Sequence, residues 1–302
     1  MDIRFKVLIV DDSILNTDDS TYQIIEKKIK TIGFTPDIKL SNGLDYKDKI
    51  TSDDYDLYLV DYNLVDKIHG QDVIIDVRDN NRSLTDIIFY SSATSTEDLY
   101  QELSKNNIDG VYVCPREYLS LKTERILEKL EKRTLNPLYL RGMVLHNYSD
   151  IEIRLREFLL TKYKSQSSEL KTKISDKILE IICESEDDYG KKIVDCKNSK
   201  DFVESLFLHE NYLFDMGKKL KLLAFLKKQN IINLSNSNIS SLVKLNKERN
   251  KLGHSKIFMK DGEMVTQDIN KVVDKYTSKK CRDIRKDIKK AQDILDHLEQ
   301  QN

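Results

Sequence analysis

The sequence predicts a doubly wound α/β domain on a five-stranded parallel sheet, over residues 1–134, followed by an all-α helical bundle over 135–302. Three observations predict it. Through the first part, short apolar runs alternate with segments of helical period. Beyond Pro137 long helical segments dominate. The formal charge also changes sign between the parts: 18 Lys+Arg against 26 Asp+Glu up to residue 134 is −8, and 32 against 25 after it is +7. A chain of 302 residues has room for two domains, because single cores stop growing at roughly 250–300 residues.

The elements follow in order. KVLIV is a first apolar strand, leading into Asp11 and Asp12. Residues 21–32 have helical spacing that ends at Gly33, a residue suited to closing a helix. PDIKL is a weaker strand. DLYLV is another apolar run and ends at Asp61. Helical GQDVIIDVRDN, strand IIFYSS, helix STEDLYQELSKNN and strand GVYV come next, and residues 117–133 form the closing helix. Asn136-Pro137 punctuates its end. The second part reads as helices over about 138–164, 170–184, 200–229, 240–253 and 268–300, a bundle. KIFMKDGEMV interrupts them as a hairpin with Asp261-Gly262 at its turn.

Composition excludes several classes. Hydrophobic residues make up 39% and charged residues 33%, and no stretch reaches the apolar length of a membrane span. The N-terminus shows no signal-peptide cleavage region. Cys114, Cys183, Cys196 and Cys281 lack C-x-x-C spacing, which argues against a disulfide framework or zinc site and for a reduced, cytoplasmic setting. The basic second half makes a polyanion such as RNA a plausible partner. There is no Ser/His/Asp signature, phosphate-binding glycine loop or helix-turn-helix signal, which sets aside a transcription factor. His69, His209 and His297 lack a partner pattern and read as surface or packing residues.

Strand ends of a parallel sheet point one way, so the acids after the first and third strands converge. Carboxylates crowded together repel one another unless a cation neutralises them, and Mg²⁺ suits an all-oxygen site. The order is Asp11-Asp12 after strand one, Asp61 after strand three, Ser92-Ala93 after strand four and Cys114-Pro115 after strand five. In this the first domain resembles response-regulator receiver domains, a flavodoxin-like fold. The resemblance implies that Asp61 accepts a phosphoryl group from a histidine kinase or other phosphodonor. It implies that Asp11 and Asp12 hold Mg²⁺ with Asp61 and the carbonyl of Asn63, and that the Ser92 hydroxyl bonds the phosphoryl group. One position departs from the family. Receivers carry Lys before the proline after strand five, where this chain has Cys114, with Arg116 two residues on as a substitute of unknown direction. The switch-aromatic position falls at Val111, beside Tyr112.

In the second domain KERNKLGHSK holds Arg249-Asn250-x-x-x-His254. This resembles the signature of the HEPN superfamily, many of whose members are metal-independent ribonucleases with a site formed between two protomers. The resemblance implies a homodimer in which Arg249, Asn250 and His254 are catalytic. Asn250 and His254 share a helix face, whereas Arg249 lies about 140° round the helix from His254. His254 would move protons and Arg249 would bind phosphate. The spacing also occurs at Arg141-GMVL-His146, with Gly where the family has a polar residue. A plainer reading of 249–256 is a helix end, with Gly253 as the stop and His254 and Lys256 complementing the helix dipole. The expected protein is thus a receiver-controlled RNA-cleaving regulator, plausibly in stress response or defence. The alternative is a non-catalytic module that binds protein or RNA.

Overall fold

The structure, a computed structural model, describes residues 3–14, 17–80, 83–134, 137–183, 202–208, 214–260, 263–267 and 273–301. It divides into two compact units, 2–136 and 137–302.

In the first unit the elements are β1 (Arg4–Val10), α1 (Ser20–Thr31), β2 (Thr35–Ser41), α2 (Tyr46–Ser52), β3 (Leu57–Asp61), α3 (Gly70–Ile75), β4 (Asp86–Ser91), α4 (Thr96–Lys105), β5 (Val111–Pro115) and α5 (Leu119–Thr134). All strand pairs are parallel, in the order β2-β1-β3-β4-β5. This is the flavodoxin-like order, whose switch point lies between β1 and β3. Alternation along the strands feeds two cores. Phe5, Val7 and Ile9 pack with Ile25 and Ile29 of α1 and Ile126 and Leu127 of α5. Leu8 and Val10 pack with Tyr46 and Ile50 of α2, Val73 and Ile74 of α3, and Leu99 and Leu103 of α4. Each such side chain contributes about 1.5–3 kcal/mol by leaving water, which fixes the sheet between two helical layers.

Local signals set the helix ends. Asp19 accepts from Thr21 N at 2.7 Å and caps α1, and Gly33 at φ +86° lets the chain leave it. Ser95 accepts from Asp98 N at 3.1 Å and caps α4. Helix α3 widens into a π turn over Asp76–Asn80, so the helical reading of 70–80 stands with a looser end. The closing helix begins with a 3₁₀ turn, Arg116–Tyr118. Helix α2 has no counterpart in the sequence reading. Its seven residues bury only Tyr46 and Ile50, too few to print an apolar stripe.

The second unit contains α6 (Pro137–Lys164), α7 (Ser168–Cys183), α8 (Phe202–Leu208), α9 (Met216–Lys228), α10 (Asn236–His254), β6 (Lys256–Lys260), β7 (Glu263–Gln267), β8 (Val273–Lys275) and α11 (Ser278–Glu299). It is mostly helical, as expected, but three spans differ. The helix expected over 200–229 is two, α8 and α9, the second started by Asp215, which accepts from Lys218 N at 2.9 Å. The helix expected over 240–253 begins earlier, at the Ser235 cap. The helix expected over 268–300 starts only at Ser278, after Thr277 accepts from Lys280 N. Before it, β8 joins the expected hairpin to make an antiparallel sheet, β6-β7-β8. The Asp261-Gly262 turn, Asn136, Cys196 and His209 lie outside the described residues.

Helix α11 buries Cys281, Ile284, Ile288, Ala291, Leu295 and Leu298, three or four apart, as one core-facing stripe. Arg154 of α6 bonds Asp296 at 2.6 Å and Glu299 at 2.7 Å on α11. Lys219 of α9 pairs with Glu152 of α6 at 2.6 Å. No helix among the described residues is long and apolar enough to cross a membrane.

Candidate functional site

Strands β1 and β3 are neighbours in register, Val10 opposite Val60, so Asp11 and Asp61 leave the sheet side by side at the carboxyl end. Asp11 is fully buried and Asp61 is 6% exposed. The loop after Asp61 folds tightly back on the strand, with Gly70 N donating to Tyr62 O at 2.9 Å. A Cβ on Gly70 would stand 2.1 Å from Asp61 O and 2.8 Å from the Phe89 ring. Only glycine permits that approach, and it fixes where Asp61 points.

The two carboxylates have opposite surroundings. Asp11 Oδ1 accepts from Ser13 N at 2.8 Å and from Ser13 Oγ at 2.5 Å. Its Oδ2 accepts from the Tyr90 hydroxyl at 2.6 Å and from Arg116 Nη1 at 2.8 Å. Burial disfavours the charge on Asp11, but the Ser13 and Tyr90 hydrogen bonds and Arg116 outweigh it and hold the carboxyl below the usual range. Asp61 Oδ2 accepts from Asn63 N at 3.0 Å, while Oδ1 is buried without a hydrogen-bond partner. Burial, reinforced by the charge on Asp11 and opposed by Asn63 N and Arg116, pushes Asp61 up to about 7.

Arg116 answers the question of direction that the sequence left open. It points into the acid pocket, 3.7 Å from Asp61 Oδ1 as well as bonded to Asp11. Its Nη2 donates to Ser13 Oγ at 2.6 Å, and its guanidinium lies 5.7 Å from the centre of the Tyr90 ring. Desolvation works against the Arg116 charge, yet Asp11 holds its pKa above the ordinary value. Cys114 faces the apolar core instead, and burial raises its thiol to about 11, so it carries no charge at neutral pH.

The remaining expected residues divide. Asp12 is half-buried next to Asp11, and Asn63 and Ser92 are exposed on the loops after β3 and β4. Ser91, not Ser92, is the buried serine there; its Oγ accepts from Ala93 N and Thr94 N at 3.2 and 3.1 Å and shapes the turn. Tyr112 bonds Lys129, and Val111 is half-buried on β5. Tyr90 escaped the sequence reading. Its signal was a tyrosine at the end of an apolar strand, since a buried phenol requires a partner.

The Mg²⁺ implied by the resemblance can be tested on the donors present. Asp61 Oδ1 is an open oxygen of the kind a cation takes. Asp11 is not: both its oxygens are bonded to protein donors, and a guanidinium supplies the positive charge. In this arrangement the pocket does not fit a resident divalent cation.

In the second unit Arg249, Asn250 and His254 all lie on the last two turns of α10. Arg249 Nη1 donates to Asn250 Oδ1 at 3.0 Å, and the guanidinium lies 5.4 Å from the centre of the Tyr148 ring on α6. Its Nε is buried without a partner. His254 is exposed at the helix end, and it shares no hydrogen bond with Arg249 among the described residues. Gly253 is not the expected stop. It stays helical without a positive φ, and the chain turns only at Ser255, which is extended and runs into β6. The duplicate motif has a structural role: Arg141 Nε donates to Leu252 O at 2.7 Å, and its Nη2 bonds Ser255 O.

No family model matches the chain, and no curated protein matches it. Solved structures do match, over the first domain. The Francisella response regulator 1452 receiver domain is 25% identical, with 43% of this chain and 98% of that chain covered and a TM-score of 0.33. A CheY-like response regulator receiver domain protein from Methanospirillum hungatei JF-1 is 24% identical, covering 43% and 92%, TM-score 0.31. Vibrio cholerae chemotaxis protein CheY4 is 22% identical, covering 43% and 98%, TM-score 0.32. The strand order and the paired acids at β1 and β3 give the first domain the receiver fold.

Proposed function

We propose that the chain is a two-component-type regulator whose first domain accepts a phosphoryl group on Asp61 from a histidine kinase or a small phosphodonor. One observation carries this reading: the buried Oδ1 of Asp61 accepts no hydrogen bond and faces the Arg116 guanidinium at 3.7 Å. A nucleophilic oxygen with an open lone pair beside a guanidinium has what acyl-phosphate formation requires. Arg116 takes the part that lysine plays in other receivers, pairing with the transferred phosphoryl group, and Ser92 stands on the adjoining loop to bond it. The test is incubation with acetyl phosphate and Mg²⁺ followed by intact mass. Wild type gains one phosphoryl group and Asp61→Asn gains none; an unmodified wild type refutes the acceptor role.

The output assigned to the helical domain is metal-independent RNA cleavage, in a homodimer that pairs the Arg249/His254 edges of two copies. Arg249 has a buried Nε with no partner, and His254 is exposed one helix turn beyond Asn250. A general acid or base and a phosphate-binding cation on one helix end suit attack of a ribose 2′-hydroxyl on the adjacent phosphate. Incubation with total RNA decides it, since equal RNA patterns from wild type and His254→Ala refute cleavage. A second reading is a non-catalytic binding module. It is favoured by the turn of Arg249 toward Tyr148 and Asn250 and not toward His254. Intact RNA with a stable RNA or protein complex would select it.

A further inference from the structure

We propose that Arg116 is a tethered cation that competes with divalent metal for the Asp11/Asp61 pocket, so that metal enters only when the guanidinium leaves. The guanidinium has three neighbours: Nη1 bonds Asp11 Oδ2 at 2.8 Å, Nη2 bonds Ser13 Oγ at 2.6 Å, and Cζ lies over the Tyr90 ring, 5.7 Å from its centre. Ser13 in turn donates to Asp11 Oδ1 at 2.5 Å, so Arg116, Ser13 and Asp11 form a closed set of bonds. Arginine's planar, permanently charged fork suits such a multi-point hold.

Occupation by the two cations is mutually exclusive. Mg²⁺ sits at about 2.0–2.1 Å from its oxygens, and the space between Asp11 Oδ2 and Asp61 Oδ1 already contains Nη1, 2.8 and 3.7 Å from the two. Two cations so close repel one another, and Asp11, whose oxygens would compensate, is already bonded to Ser13, Tyr90 and Arg116. Positive charge therefore already stands beside Asp11 and Asp61 without metal, on a residue two positions beyond the uncharged Cys114. Apparent metal affinity then falls by the fraction of time the pocket stands open, which makes Arg116 a gate on any cation-dependent step at Asp61.

The inference rests on the acceptor reading only in using the same pocket, and a binding measurement separates the two. Mn²⁺ titrated into the full chain and followed by electron paramagnetic resonance reports binding without any phosphodonor. Arg116→Gln binds Mn²⁺ roughly tenfold or more tightly than wild type, and Arg116→Lys, which keeps the charge, stays near wild type. Adding Asp61→Asn to Arg116→Gln removes the gain, and thermal melts establish that each variant is folded. Equal Mn²⁺ affinity in wild type and Arg116→Gln overturns the proposal, and so does absence of binding in both. Neither result bears on acetyl phosphate labelling of Asp61, which judges the acceptor role by itself.

Discussion

The Tyr90 hydroxyl donates to Asp11 Oδ2 at 2.6 Å, linking the end of β4 to the end of β1 across β3, and both residues are fully buried. Burial, with Asp11 alongside, pushes the Tyr90 phenol well above its ordinary value. Tyr90 thus keeps its proton and donates to Asp11 at neutral pH. It keeps Asp11 ionised in a place where an unpaired carboxylate would be protonated.

Tyr90→Phe removes that donor and little else. A hydrogen bond to a buried charge contributes about 1.5–3 kcal/mol, so the variant is expected to lose about 2 kcal/mol in urea denaturation at neutral pH. Asp11 has a depressed pKa, so its contribution is present above the unfolded aspartate value and is lost as pH falls through the folded one. The deficit of Tyr90→Phe therefore shrinks in acid. A deficit that is unchanged from pH 7 down to pH 3 would assign it to packing instead.

Asp61 has the opposite sign. Its folded value, about 7, lies above the ordinary 3.8, so the native state binds more protons than the unfolded chain between them. Stability falls as pH rises through that window and is lowest above about 7. Asp61→Asn, measured in chelator, is expected to stabilise the protein on the order of 2 kcal/mol at pH 8 and hardly at all near pH 4. Equal melting of the two proteins at pH 8 would show that Arg116 already neutralises Asp61 completely.

The first domain was legible because β1, β3 and β4 are short apolar runs buried along most of their length, and the acids stand at the ends of β1 and β3. Residues whose importance depends on direction were not. Arg116 stood out as a substitute for the missing lysine, but its direction was set only by β5 and the following 3₁₀ turn, which aim it at Asp11. Tyr90 reads as one more apolar strand residue until its hydroxyl finds a carboxylate. The split of 200–229, and the late start of α11, turned on Asp215 and Thr277. Both are capping residues inside segments whose apolar spacing remained helical across the break.

Gly70 sets the geometry of the loop after Asp61 by absence of a side chain. Gly70→Ala places a Cβ 2.1 Å from a backbone oxygen of Asp61 and 2.8 Å from Phe89, and backbone cannot yield as a flexible side chain can. Overpacking of this kind costs about 1–3 kcal/mol. The expected result is a lowered urea midpoint together with loss of acetyl phosphate labelling at temperatures where the variant is still folded. Wild-type labelling in the folded variant would show that the close approach does not position Asp61.

The two Arg-x4-His spacings make contrasting predictions. Arg141 bonds the carbonyls of Leu252 and Ser255, where α10 ends and β6 begins, so it satisfies acceptors that a helix end leaves open. Arg249 lies on the same helix, bonded among the described residues to the exposed Asn250 and with its Cζ over the Tyr148 ring. Arg141→Ala should therefore lose about 1–2 kcal/mol of stability and speed amide exchange at Ser255, whose N–H bonds Lys251 O at 3.0 Å. Below its melting point it should process or bind RNA as wild type does. Arg249→Ala should melt within about 2 kcal/mol of wild type, the range of a partly desolvated cation–π contact, and lose its effect on RNA. The reverse pattern, a folded Arg141→Ala that no longer acts on RNA beside an unaffected Arg249→Ala, would move the functional arginine to α6.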